Sequence, residues 1–198
     1  MKEFLRSLLV FVFMSLLTGL AYPFIITEVA HIGPLKHKAQ GSLIDQDGRI
    51  VGSSLIGQGF SSSKYFHGRP SALEKAYDAS NSGGSNFGPS NKKFLDEVAK
   101  RAQKVRNENG LEPSVPVPGD LVLASASGLD PHISVDAAMV QAKRIAKARG
   151  FDESQVQEMV QRRIEEAFLG FIGQKKINVL QLNMDLDRTP PQQTGKIR

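Results

Sequence analysis

The sequence predicts an α+β protein: one N-terminal transmembrane helix followed by an exported domain with a small antiparallel sheet and about three helices. Three observations lead there. A long uncharged apolar run lies near the N-terminus of a chain whose mean hydropathy is only −0.22. Beyond it, strand-like and helix-like stretches follow in runs, without the alternation of a βαβ protein. Finally, 198 residues with 40% hydrophobic content allow one ordinary domain and exclude a disordered chain.

The apolar run comes first. Ser7 to Thr27 carries no charge, and as a helix those residues reach about 30 Å, one hydrocarbon core. Lys2 and Arg6 precede the run, and no basic residue follows until Lys36. By the positive-inside rule, residues 1–6 stay cytoplasmic, 7–27 span the cell (inner) membrane in a single pass, and the bulk of the chain is exported. Tyr22 and Pro23 fall near the outer interface, where the helix is expected to kink or end. A cleaved signal peptide is the competing reading, with Leu8–Leu17 as its apolar core and Gly19-Leu20-Ala21 as the cleavage site. Either way the domain is exported. With no cysteine it has no disulfide, and about 170 residues suffice for a core without one.

Residues 28–41 read as a juxtamembrane connector into the exported domain, 42–187. Ser42–Ile44 and Arg49–Val51 are short strands around Asp47-Gly48, a hairpin signal, and Ser53–Ile56 extends the second strand. Gly57 to Asn91 lacks periodicity and is rich in Gly, Ser, Asn and Pro; so long a stretch inside a domain predicts an ordered functional segment. Asn91–Asn109 is helical, capped by Ser90 or Asn91 and stopped by Gly110. Three prolines between Glu112 and Gly119 lead to a short strand, Leu121–Ala124. A second helix, Val135–Arg149, lies between Ser134 and Gly150. A third starts at Asp152 with a capping box to Gln155 and runs to about Phe168. Ile177–Leu186 alternates, with Leu180, Leu182, Met184 and Leu186 on one face, which predicts a half-buried antiparallel strand. Residues 188–198, with Pro190-Pro191, form a flexible tail.

The net charge of +5 raises nucleic acid as a partner. The basic pairs, such as Lys100-Arg101 and Arg162-Arg163, have acidic residues close by and no interleaved aromatics, so they read as solvated helix faces. His31, His37, His67 and His132 lack the spacing of a helical zinc site. Neither a P-loop nor a G-x-S-x-G elbow is present, and no metal site or catalytic residue is expected.

Three segments stand out. Ser54-Leu55-Ile56-Gly57-Gln58 ends a strand on an amide, so Gln58 is a candidate ligand contact; an amide that satisfies local backbone is the plainer reading. Gly83-Gly84-Ser85-Asn86 precedes a helix and could offer an anion nest through Ser85 and Asn86, with Arg69 nearby; ordinary turn chemistry is the alternative. Asp130 and His132 look catalytic, yet an Asp-Pro turn before a Ser-capped helix has the same residues.

Taken together these segments carry a resemblance. Thr-Gly-Leu-Ala-Tyr-Pro at 18–23, Leu-Ile-Gly-Gln at 55–58, Tyr-Phe-x-x-Arg-Pro-Ser-Ala at 65–72, Ser-Gly-Gly-Ser-Asn-x-Gly-Pro-Ser-Asn at 82–91, Ser-Gly-Leu-Asp-Pro-His-Ile-Ser at 127–134, Arg144–Gly150 and Asn178-Val-Leu-x-Leu-Asn183 occur in order. The chain resembles the C subunit of the Kdp high-affinity potassium-transporting P-type ATPase, with small departures at Ala126 and Phe87. The resemblance implies a retained anchor and an accessory subunit without a catalytic cycle of its own. It implies three partners: a channel-like potassium-selecting subunit, the P-type ATPase subunit and a small single-span subunit. It also implies a catalytic chaperone that raises ATP affinity, with Gln58 as nucleotide contact, by likeness of Leu-Ile-Gly-Gln to the ABC-transporter signature. The charge placement sets Gln58 outside, across a bilayer from cytoplasmic ATP. No cofactor is therefore expected on this chain itself, and ATP enters only through the complex. Ser15 and Gly19 offer a small face to a neighbouring helix.

Overall fold

The computed structural model describes residues 1–190, and positions 191–198 of the predicted tail lie outside the described residues. The chain forms two compact units, residues 1–53 and 54–190.

In the first unit the apolar run is helical from Lys2 to Ala30, long and apolar enough to cross a membrane. It consists of α1 (Lys2–Leu16), a π turn (Leu17–Ala21) and α2 (Tyr22–Ala30). The helix does not end at Pro23, one of the two outcomes expected there, but passes through a π turn and continues. Proline has no N–H to donate one turn back, and the π turn just before it absorbs the missing bond. The hydroxyls of Thr18 and Thr27 donate to the Met14 and Pro23 carbonyls at 2.8 Å, so they need no water. The connector contains a short helix, α3 (Gly33–Ala39), with Pro34 in its first turn. β1 (Leu43–Gln46) and β2 (Arg49–Ser53) pair antiparallel as the Asp-Gly step predicts. Asp47 and Gly48 both have positive φ, 54° and 78°, the conformation a two-residue type I′ turn requires. β2 stops at Ser53 and does not continue to Ile56.

The second unit is built on four helices. α4 (Lys92–Asn109) is capped by the Asn91 side chain, which accepts from Phe94 N–H. α5 (Val135–Arg149) is capped by Ser134, and α6 (Glu153–Arg162) has the Asp152–Gln155 capping box. The fourth helix corrects the sequence reading. Only Ile177–Asn178 is strand (β4), paired antiparallel with His132–Ile133 (β3), and Val179–Arg188 is α7. The Asn178 side chain accepts from Gln181 N–H and starts the helix. Val179, Leu182, Asn183 and Leu186 form its buried stripe, a helical spacing that coexists in the sequence with the alternating one.

Two further expectations give way. The strand predicted at Leu121–Ala124 is a 3-10 turn, Gly119–Leu121, whose Asp120 accepts from Ser134 N–H and Oγ–H rather than pairing in a sheet. α6 ends at Arg162 rather than near Phe168. The chain then folds into a narrow hairpin bridged at Glu165–Lys176 and Phe168–Ile172, which takes up the backbone groups a longer helix would have used. The core lies between α5, α6 and α7: Ile133, Ala138, Ala142, Ile145, Val156, Val160, Ile177, Leu182 and Leu186 are buried together with Phe66.

Candidate ligand and partner site

The long segment without regular structure is ordered because helix side chains pin it. Two amides hold its backbone. Gln141, on α5, accepts from His67 N–H at 2.8 Å and donates to the His67 and Ala137 carbonyls. Asn183, on α7, accepts from Phe66 N–H at 2.8 Å and donates to the Phe66 carbonyl at 3.0 Å. These amides stand in for neighbouring strands, so Phe66 can be fully buried without a sheet. Arg144 adds a third grip, donating to Asn109, Ser63 and Gln141. Sequence reasoning missed Gln141 altogether and placed Asn183 on a solvent face. Their signal was a single amide inside each otherwise apolar helical stripe.

From this pinned segment the chain carries the predicted site residues. Arg69 donates to the Asp130 carboxylate at 3.0 Å and to the Ala124 carbonyl at 3.4 Å. Asp130 also accepts from the His132 backbone N–H at 3.0 Å, and the His132 ring stands 3.7 Å from it. The His132 side chain and backbone together with Arg69 hold the Asp130 carboxyl down to about 2, against the opposing effect of burial. The other nitrogen of His132 lies 3.6 Å from Glu165. Arg69, Asp130 and His132 thus form one charged cluster with Glu165 at its edge.

Tyr77 closes the cluster from the other side. Its hydroxyl donates to the Arg69 carbonyl at 3.0 Å, and burial followed by the nearby Asp130 charge pushes the phenol up to about 12. The Tyr77 ring lies against Gly57, where a Cβ would also come within 2.7 Å of the Asp130 carbonyl. Only glycine fits there, and Gly57 N–H donates to the Leu129 carbonyl at 2.9 Å. Gln58 follows, half-buried. Ser85 is half-buried and Asn86 exposed, in a turn laid against Ser125–Gly128: Gly83 N–H donates to the Ser127 carbonyl, and Gly84 packs on Ala126. The Gly83 donor of the predicted anion nest is engaged within the fold, and Arg69 is turned to Asp130.

Two open concavities flank the cluster. One, of about 580 Å³, is lined by His67, Arg69, Tyr77, Lys104 and Glu108 among others. The second, about 610 Å³, is lined by Asp120, Asp130, His132, Lys175 and Lys176. Burial, reinforced by Arg144, lowers the His67 ring below its usual range. Among the described residues no group of histidines, cysteines and carboxylates is arranged to hold a metal. The charged side chains pair largely with one another and fix loops, and the Ser134 hydroxyl beside Asp120 is engaged as the cap of α5.

Comparison with known proteins bears on what such a scaffold serves. The family described as K+-transporting ATPase, c chain (KdpC) matches residues 4–188. Similar full-length proteins are each called potassium-transporting ATPase KdpC subunit. That of Rhodopseudomonas palustris strain BisB18 is 45% identical, over 94% of this chain and 98% of its own. That of Koribacter versatilis is 44% identical over 98% and 99%, and that of Methylobacterium nodulans 45% over 94% and 98%. The match runs from the apolar helix to the end of α7, and on it the chain belongs to the KdpC family, the c chains of the potassium-transporting ATPase.

Proposed function

We propose that the chain is a single-pass, non-catalytic subunit that assembles and stabilises the potassium uptake complex, with residues 54–190 outside the membrane over the outer mouth of the channel-like subunit. There its polar loops shape potassium access. The observation that carries this reading is the charge asymmetry about the helix Lys2–Ala30: Lys2 and Arg6 precede its apolar stretch and no basic residue follows until Lys36. The rigid, self-neutralised cluster around Arg69 and Asp130 suits a surface presented to a partner better than a reaction centre.

A second reading makes the chain a catalytic chaperone that raises the ATP affinity of the P-type ATPase subunit, with Gln58 touching nucleotide. Its support is the Leu-Ile-Gly-Gln stretch. That stretch has a packing reason of its own, since Gly57 is required by Tyr77 and Asp130.

One topology experiment separates the two. The chain has no cysteine, so Gln58→Cys, and Ser61→Cys at an exposed neighbour, each give a unique thiol. Intact cells are treated with a membrane-impermeant maleimide. Labelling of both positions from outside is expected. If they react only after the cell membrane is opened, the outer-mouth reading fails and the nucleotide reading takes its place.

A further inference from the structure

The hairpin after α6 has a tip unlike the rest of its domain. Phe168, Leu169, Phe171 and Ile172 are 70, 69, 77 and 51% exposed, four large apolar side chains in five consecutive positions. They are held in that state rather than collapsed. Phe168 and Ile172 exchange backbone hydrogen bonds at 2.9 Å, and Leu169 and Gly170 make the turn with φ of 53° and 81°. Behind the tip, the stem is charged: Lys175 pairs with Glu166 at 3.0 Å and Lys176 with Glu165 at 3.7 Å.

We propose that this tip inserts into the bilayer surface, at the boundary between headgroups and acyl chains, as a second membrane contact of the chain. Three features select lipid over a protein partner. First, the backbone N–H groups of Phe168, Gly170, Phe171 and Ile172 are satisfied inside the turn, which lowers the cost of placing the tip at the partly hydrated headgroup–acyl boundary. Second, four side chains of roughly 150–200 Å² each, half to three-quarters exposed, present on the order of 400 Å². A compact apolar patch at a projecting turn, with a charged stem directly behind it, suits an interfacial anchor. Third, from the Phe168–Ile172 bridge to the Glu165–Lys176 bridge the strands rise about 10 Å, which matches the ~5–10 Å depth of interfacial burial and leaves the charged stem at the headgroups. The inference rests on the anchored reading above, because a chain with its own span always has a bilayer beside it. It does not depend on which side the domain occupies.

The test uses the full-length chain in phosphatidylcholine vesicles, with and without nitroxide-labelled acyl chains. Single cysteines replace Val10 in the span, Phe171 at the tip, or Gln157 on α6, and each carries an environment-sensitive fluorophore. The fluorophore at 171 is expected to be quenched at least about twofold more than at 157, as at position 10. Adding Phe168→Ser and Ile172→Ser should return it to the level at 157 with an unchanged circular dichroism spectrum. Quenching at 10 without quenching at 171 overturns the insertion and leaves the anchor standing. No quenching at either position removes the anchor and the insertion with it. Persistent quenching at 171 in the Phe168→Ser, Ile172→Ser background also overturns it, since the fluorophore alone would then be partitioning.

Discussion

Asp130 is the carboxylate at the centre of the charged cluster. It accepts from Arg69 and from its neighbour's backbone, and its pKa falls from 3.8 to about 2. A carboxyl whose folded pKa is depressed contributes stability above its unfolded pKa, here 3.8, and loses that contribution as the pH drops toward 2. The side chain remains 29% exposed, so solvent screening limits the benefit. Asp130→Asn should cost about 1 kcal/mol at neutral pH, or a melting shift of about 2–4 °C for a chain of this size. Below about pH 4 the gap should narrow, closing only near pH 2, because the unfolded carboxyl takes up its proton from about 3.8 downward while the folded one keeps its charge to about 2. Circular dichroism melts of both in detergent at pH 7 and pH 3 check this; a constant gap would show that the ion pair is not what Asp130 contributes. The sequence offered an Asp-Pro turn before a Ser-capped helix; the Ser134 cap is there, but His132 opens β3 rather than lying in a turn. The sequence could not show Arg69 facing Asp130, since that contact closes across 61 positions of chain.

At the level of the element, α7 explains both a misreading and a hidden support. Alternation over Ile177–Leu186 fits a strand, but Val179, Leu182, Asn183 and Leu186 fit a helix as well. Tertiary packing decides between them, through the Asn178 cap and the buried side of α7. The strand reading turned Asn183 outward; in the helix it is 1% exposed and meets Phe66 across 117 positions. The self-contained elements were legible: α4 and α5 have local caps and glycine stops, and the Asp47-Gly48 hairpin has its turn residues. The Phe66–His67 backbone was not, because its partners are side chains rather than a strand. Asn183→Ala leaves the buried N–H and C=O of Phe66 without their partners and should cost about 2–4 kcal/mol. Ser154→Ala, on the exposed side of α6, should stay within about 0.5 kcal/mol. Thermal unfolding distinguishes the two; equal melting temperatures would mean that the segment is held without the Asn183 clamp.

For the molecule as a whole, the mean hydropathy of −0.22 averages two unlike parts, one apolar helix and one polar domain. Many of the basic residues of the polar part are spent in helical pairs such as Arg101–Glu97, Lys104–Glu108 and Arg162–Glu158. On the proposed reading, the helix Lys2–Ala30 is where the chain would meet the other subunits within the bilayer. Ser15 near the end of α1 and Gly19 within the π turn lie four residues apart there, and a side chain added at Gly19 would meet nothing of this chain within 4 Å. In lipid, association relies on close backbone approach at such small residues rather than on hydrophobic burial. Gly19→Leu is therefore expected to insert into the membrane as before and leave the folded domain intact, yet to recover several-fold less of the other subunits when the chain is affinity-purified from gentle detergent. Leu20→Ala, which enlarges nothing, is expected to purify with a full complement. If Gly19→Leu retains its partners as well as the parent chain does, the Ser15–Gly19 face meets lipid and assembly depends on residues outside the span.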